Sequence, residues 1–323
     1  MTKLLGQRIM VGFSGTSPSA GLLRSVRRGE IGSVILFAPN LASRAQTLAM
    51  TGALQRAARA GGNPKLLVAV DQEGGQVKRL PAAPPSLSPP DMVHTGKVSV
   101  AAGQGRATAS VLKRWGINMN LAPVTDVPTY GGAFVWRQGR AFSFNASTVT
   151  RYATAFALGS QARGVAATAK HFPGLGSAPI DTDFKRQELH PSAAQRAAAL
   201  EPYRAMIPRG LDAVMLSVAG FPAYDSSGTV AALSPPIIGL LRGRLGFGGV
   251  TITDALGTPT GHDEITAGVL AAAAGADILL FTDSAPGELG RLRAALASGQ
   301  IRHSEAAACY RRIITLKRKL GLA

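Results

Sequence analysis

The sequence predicts an α/β fold, a single (β/α)8 TIM-type barrel domain over residues 1–323. Three observations predict it. Short continuous apolar runs rich in Val, Ile and Leu recur eight times, as expected of parallel strands buried on both faces. Longer stretches of helical periodicity separate them, and repeated right-handed crossovers of that kind close naturally into a barrel. No composition break divides the chain, and its 46% hydrophobic residues suffice for one large core.

The strand-like runs, in order, are Arg8–Phe13, Ser33–Phe37, Leu66–Val70, Asn118–Leu121, Ala166–Ala169, Ala213–Ser217, Val250–Thr253 and Asp277–Phe281. Helical stretches between them include Ala42–Ala60, Val100–Trp115, Thr148–Arg163, Ala193–Ile207, Pro236–Leu245, Glu264–Ala274 and Glu288–Leu296, and a final helix fits Ser304–Leu320. A doubly wound open sheet is the alternative. The segment GFSGTSPSAG after the first strand, however, lacks the glycine spacing of a dinucleotide-binding turn. The segment Pro81–Pro90 is too short to link domains and reads as a rigid loop after the third strand.

Composition narrows the function classes. The one cysteine, Cys309, allows no intramolecular disulfide and reads as a small core residue in an apolar helical stretch. The formal charge of +17 is strongly basic. The basic residues are scattered and carry no aromatic-interleaved patch, which favours a solvated Arg-rich surface with weak attraction to anionic polymers over a specific nucleic-acid site. No apolar run is long enough to span a membrane. The N-terminus, MTKLLGQRIMVGFSG, lacks a signal-peptide layout and runs into a strand, so the chain as written is expected to be cytoplasmic, or exported if a leader is removed. No His/Cys/Asp cluster has metal-ligand spacing, and no metal or cofactor is expected.

The functional signal is positional, because barrel enzymes work at the C-terminal ends of their strands. The third run ends in Asp71-Gln72-Glu73-Gly74-Gly75, the fourth passes Pro123 to Asp126, and the fifth ends in Lys170-His171-Phe172-Pro173-Gly174. The seventh ends in Thr253-Asp254 and the eighth in Thr282-Asp283. Carboxylates beside a Lys-His pair suit directional recognition of sugar hydroxyls. For any one such Asp the competing reading is a helix cap. That reading suits Asp283, which precedes Ser284 and a helix. It is weakest for Asp71, where Gly74-Gly75 permit close backbone approach by a ligand. His190, His262 and His303 sit in loop-like contexts and receive no role.

These segments resemble the N-terminal catalytic domain of glycoside hydrolase family 3, and more narrowly its single-domain β-N-acetylhexosaminidases. The likeness runs through Met10-Val11-Gly12-Phe13, DQEGG with Arg79, Leu121-Ala122-Pro123-Val124 with Asp126, Arg140-Ala141-Phe142, KHFPG, and Ile252-Thr253-Asp254-Ala255-Leu256. The resemblance implies a carbohydrate substrate bearing β-linked N-acetylglucosamine, as in cell-wall fragments and peptidoglycan turnover. It implies Asp254 as catalytic nucleophile and Asp71, Arg79, Arg140, Lys170 and His171 as sugar-binding positions.

The chemistry so implied is retaining glycoside hydrolysis, in which one carboxyl attacks the anomeric carbon and a second group donates a proton and then activates water. In the resembled branch an Asp-x-His dyad on the loop after KHFPG supplies that second group. The same spacing here gives Asp181-Thr182-Asp183, with Asp183 in place of the His. Leu175 and Val218 likewise stand where the family has histidines. Two carboxyls on one loop can raise each other's pKa, so Asp183, or the Asp181/Asp183 pair, is expected to act as the acid. Two alternatives stand beside the hydrolase: a weak or inactive glycan-binding barrel, and a β-glycosidase or phosphorylase of other sugar specificity.

Overall fold

A computed structural model describes residues 1–282 and 287–323. Asp283 and Ser284, read above as a strand end and helix cap, lie outside the described residues. Eight parallel strands run in chain order: β1 (Ile9–Val11), β2 (Ser33–Leu36), β3 (Leu67–Val70), β4 (Met119–Asn120), β5 (Ala166–Phe172), β6 (Ala213–Leu216), β7 (Val250–Thr253) and β8 (Leu279–Phe281). Strands β1 to β6 each pair with the next, and β1 pairs with β8, Ile9 opposite Leu279. The remaining gap, between β7 and β8, is bridged by Ile252 and Ile278. The ring is closed, so the chain forms a TIM-type barrel and not an open doubly wound sheet.

The outer helices are α1 (Ala20–Arg28), α2 (Arg44–Ala60), α3 (Val98–Arg114), α4 (Ala146–Gln161), α5 (Ala193–Met206), α6 (Pro235–Gly239), α7 (Glu264–Ala274), α8 (Glu288–Ala297) and α9 (His303–Lys319). Their starts follow from side-chain caps. Ser43, Asn145 and Asp263 each accept a backbone N–H three residues on, and Ser192 with Gln195 forms a reciprocal capping box.

Some expectations change. A short helix, Thr2–Gly6, precedes β1, so the N-terminus does not run straight into a strand. The loop expected over Pro81–Pro90 ends in a helical turn at Pro89–His94, because Ser88 caps it and proline suits the first helical position. The helix expected over Pro236–Leu245 gives way after Gly239 to a wider π turn, Leu240–Arg244. There Arg242 donates to the carbonyls of Phe247 (2.9 Å) and Gly249 (2.6 Å) and pairs with Asp277. His303 opens α9 and is not a loop residue.

The barrel interior is solid. Met10, Ile35, Leu67, Met119, Leu121, Met215, Ile252 and Leu280 fill it, and Ile313 and Leu316 of α9 pack against them. Helix α9 crosses the N-terminal ends of the strands. Lys317 donates to the Gly32 carbonyl before β2 (2.7 Å), and Lys319 to Asp212 before β6 (2.6 Å). Part of the cationic excess is therefore structural. Arg8 is fully buried and donates to the carbonyls of Ala276 (2.7 Å) and Ala272 (3.1 Å). Cys309 is buried as expected, and burial pushes its thiol up to about 12. No helix is long and apolar enough to cross a membrane among the described residues.

Candidate active site

With α9 closing the N-terminal end, the C-terminal ends of the strands open into a cleft of about 500 Å³. All eight sequence-predicted site residues line it: Asp71, Arg79, Arg140, Lys170, His171, Asp181, Asp183 and Asp254. Asp71 and Asp254 are the first residues past β3 and β7. Neither caps a helix. The helix after Asp254 begins ten residues later at Glu264 and takes its cap from Asp263.

Lys170 and His171 belong to β5, which runs three residues further than the apolar run suggested. Successive strand side chains normally point to opposite faces. The pairing of β5 with β6 shifts register between Ala169 and Phe172, an irregularity of the kind that re-aims side chains near sites. Both side chains consequently line the cleft.

The floor is a chain of buried charge pairs. Lys170 Nζ lies 2.7 Å from Asp71 Oδ1 and 2.6 Å from Glu73 Oε1. Arg140 grips Glu73 with two parallel bonds, of 2.8 and 3.0 Å. Arg79 is 3.7 Å from the other oxygen of Asp71. Burial disfavours the charge on Glu73, but Arg140 and Lys170 outweigh it and hold the carboxyl down at about 2. Burial likewise opposes the charge on Lys170, and Asp71 and Glu73 outweigh it, so its pKa rises.

His171 is oriented from behind. Its Nδ1 is 2.7 Å from Asp126 Oδ2, and its Nε2 is 3.3 Å from the Arg140 guanidinium. The carboxylate assigns the proton to Nδ1 and leaves Nε2 to accept from Arg140. The other oxygen of Asp126 accepts the backbone N–H groups of His171 (3.2 Å) and Leu175 (2.7 Å). Leu175 and Val218 are fully buried and belong to the core.

Glu73 and Asp126 stand within the motifs, and the sequence alone assigns them no role. The signal was present, since Glu73 lies inside DQEGG, but its partners are distant in sequence. The Gly74-Gly75 reading needs correction. At Gly75, with φ +61°, a Cβ would come 2.5 Å from the Gly139 carbonyl. The close approach is therefore by the chain's own backbone, which seats the Arg140 loop against the loop of Glu73.

A relay then climbs from the floor to the rim. Arg140 donates to Gln138 (3.2 Å), Gln138 donates to Asp181 Oδ2 (2.9 Å), and the Asp183 N–H donates to Asp181 Oδ1 (3.2 Å). Gln138 was not singled out from the sequence. Asp183 sits at the rim with one side in contact with solvent. Desolvation on its cleft side, then the charges of Asp254 and Asp181, push its carboxyl up to about 6. Asp254 Oδ1 accepts the N–H of Ala255 at 2.9 Å. Among the described residues, no group of three or more His, Cys, Asp or Glu could hold a metal ion.

Comparison with known proteins places this geometry. Residues 3–316 match the Glycosyl hydrolase family 3 N terminal domain. An uncharacterized secreted glycosyl hydrolase of Arthroderma benhamiae is 34% identical over 98% of this chain and 93% of its own length. A β-hexosaminidase of Xylella fastidiosa is 33% identical over 77% of this chain and 74% of its own. A family 3 β-N-acetylglucosaminidase from Paenibacillus superposes with a TM-score of 0.94 at 32% identity. That superposition covers all of this chain, which spans 63% of the Paenibacillus protein. A β-N-acetylhexosaminidase from Beutenbergia cavernae superposes with a TM-score of 0.88 at 30% identity, covering 98% of both chains. By sequence match and by fold, this chain belongs to glycoside hydrolase family 3.

Proposed function

We propose that the chain is a retaining glycosidase that releases β-linked N-acetylglucosamine-type sugars, with Asp254 as nucleophile and Asp183 as acid and then base. The observation that carries this reading is the pairing of two unlike carboxyls in one cleft. Asp254 stands on a strand end, while Asp183 has its carboxyl pushed up to about 6. One carboxyl held protonated near neutrality, facing a second carboxyl across the cleft, is what the acid and nucleophile roles require. The names of the Xylella, Paenibacillus and Beutenbergia relatives support the choice of sugar.

Each step then has a residue. Asp71, Arg79, Arg140, Lys170 and His171 hold sugar hydroxyls against the charged floor. Asp254 attacks the anomeric carbon as Asp183 protonates the departing oxygen. Formation of the glycosyl ester removes the charge of Asp254, one of the causes that raises Asp183. The pKa of Asp183 therefore falls in the intermediate, and the same group is ionised when a base is needed to activate water. Asp181 shapes the loop and adds the second raising charge.

The test is a panel of chromogenic β-glycosides across pH, with and without phosphate. N-acetylglucosaminides should be hydrolysed best, below neutrality, with no acceleration by phosphate. Binding of chito-oligosaccharides without turnover of any glycoside would contradict the enzyme reading. Turnover that requires phosphate would contradict hydrolysis.

A further inference from the structure

We propose that Phe184 is the platform on which the leaving group rests, and that this leaving group is a sugar ring, so that the substrate is an oligosaccharide. The inference rests on the reading of Asp183 as the acid. Phe184 is 80% exposed, more than any other large hydrophobic side chain among the described residues. It nevertheless lines the cleft together with Asp183 and Asp254. An exposed aromatic ring at the mouth of a cleft lined with charged groups offers a ligand an apolar face beside polar ones.

The other aromatic rings of the cleft are occupied. Arg79 lies over Phe37 and Arg140 over Phe134, each 5.8 Å from the ring centre. Phe184 has no ring or cation partner among the described residues. Its backbone is nonetheless held. The Phe184 N–H donates to the Asp181 carbonyl (3.2 Å), in the same turn that carries the Asp183–Asp181 bond. At the loop base, Gln187 bonds both the N–H and the carbonyl of Ile180. A secured turn thus presents an unpartnered face.

Position and chemistry name the occupant. An acid must come within hydrogen-bond reach of the bridging oxygen, about 3 Å. Its chain neighbour in the same cleft then stands on the leaving-group side, beyond the charged floor that holds the other sugar's hydroxyls. A β-linked gluco-configured ring carries its hydroxyls equatorially and offers a face of C–H bonds, which an aromatic face complements. Neighbouring segments carry further exposed apolar side chains. Of the six exposed large hydrophobics among the described residues, Tyr130, Phe144, Ile180 and Phe184 come from the segments walling this cleft. Those segments are tied by the Phe134 N–H to the Ala178 carbonyl (3.0 Å) and the Thr129 N–H to the Gly176 carbonyl (2.9 Å).

The test compares wild type, Phe184→Ala and Phe184→Trp on three N-acetylglucosaminides: the trifluoroethyl glycoside, diacetylchitobiose and the octyl glycoside. Phe184→Ala should lower kcat/KM on diacetylchitobiose about five- to tenfold more than on the trifluoroethyl glycoside, the scale of one ring contact. Phe184→Trp should retain the wild-type preference. Equal losses on the two substrates would overturn the platform, leaving a loop-shaping residue. A selective loss confined to the octyl glycoside would overturn the sugar assignment. If wild type turns over none of the three, the hydrolase reading fails and calorimetry decides the platform. Chitotriose bound at least fivefold more weakly by Phe184→Ala than by wild type would support it. Equal affinity, or no binding by wild type, would overturn it.

Discussion

The backbone N–H of Asp183 donates to one oxygen of Asp181 while Gln138 donates to the other, so both oxygens of Asp181 are engaged in shaping the turn. Asp183 makes no side-chain hydrogen bond among the described residues. Asp181 also contributes one of the charges that raise Asp183 to about 6. Replacing Asp181 by Asn keeps an acceptor for the turn and removes the charge. In wild type the alkaline limb of kcat/KM should fall near pH 6, because the acid is protonated only below its pKa. In Asp181→Asn the limb should move to lower pH. A limb that stays in place or moves upward would show that another group supplies the proton.

Asp183→Ala separates the two chemical steps. Substrates with very good leaving groups need little protonation, so glycosylation should be largely spared. Deglycosylation loses its base, and a burst of released leaving group should precede a slow steady state. Azide, which needs no deprotonation, should restore part of the turnover. Stopped-flow traces with a dinitrophenyl N-acetylglucosaminide read all three effects. A variant with no burst and no azide response would remove Asp183 from the mechanism.

Asp71 and Glu73 share Lys170 but differ in what they hold. Without Asp71, Lys170 still pairs with Glu73 at 2.6 Å. Asp71→Ala should therefore cost more in sugar binding, about 1.5–3 kcal/mol for bonds to a charged acceptor, than in folding stability. Without the Glu73 charge, the buried Lys170 keeps only Asp71 and Arg140 loses its two-bond anchor. Glu73→Gln should destabilise by about 3–5 kcal/mol, the scale for breaking a buried pair. Glu73 is lowered from an ordinary 4.5 to about 2. Its contribution is full above pH 4.5 and is lost as pH falls toward 2. Urea unfolding of wild type and Glu73→Gln should show stabilities converging across that window.

Lys317 is fully buried, and its Nζ donates to Gln7 Oε1 (2.6 Å) and the Gly32 carbonyl (2.7 Å). Two donors suffice for those bonds, and burial lowers the amine from 10.5 to about 7. Between pH 7 and 10.5 the unfolded chain binds the extra proton, so this residue makes stability rise with pH. Wild-type stability minus that of Lys317→Met should increase from pH 7 to pH 10. A difference that stays flat would mean Lys317 keeps its charge when folded.

The barrel was legible in the sequence because strands buried on both faces must be continuous apolar runs, and β7 was read to the residue. The end of β5 was not, since Lys170 and His171 interrupt the apolar pattern there. That Asp71, Lys170, His171 and Asp254 line the cleft was legible from their place at strand ends. Their partners were less so. The Glu73–Lys170 pair spans 97 positions, and nothing local to either residue announces the other. The approach of Gly75 to Gly139 shows the same limit, because the glycine pair was visible and the backbone it admits was not. Exposure of Phe184 is a tertiary property with no periodic signature.

The central assignment is the bond between Asp254 and the sugar. Incubation of the protein with a 5-fluoro-N-acetylglucosaminyl fluoride, followed by intact-mass measurement and peptide mapping, reads it directly. The expected result is a mass increase of one glycosyl unit on the peptide containing Asp254, absent from Asp254→Asn, which should also lose turnover. Turnover of N-acetylglucosaminides by wild type with no adduct, or with the adduct on another residue, would contradict the assignment.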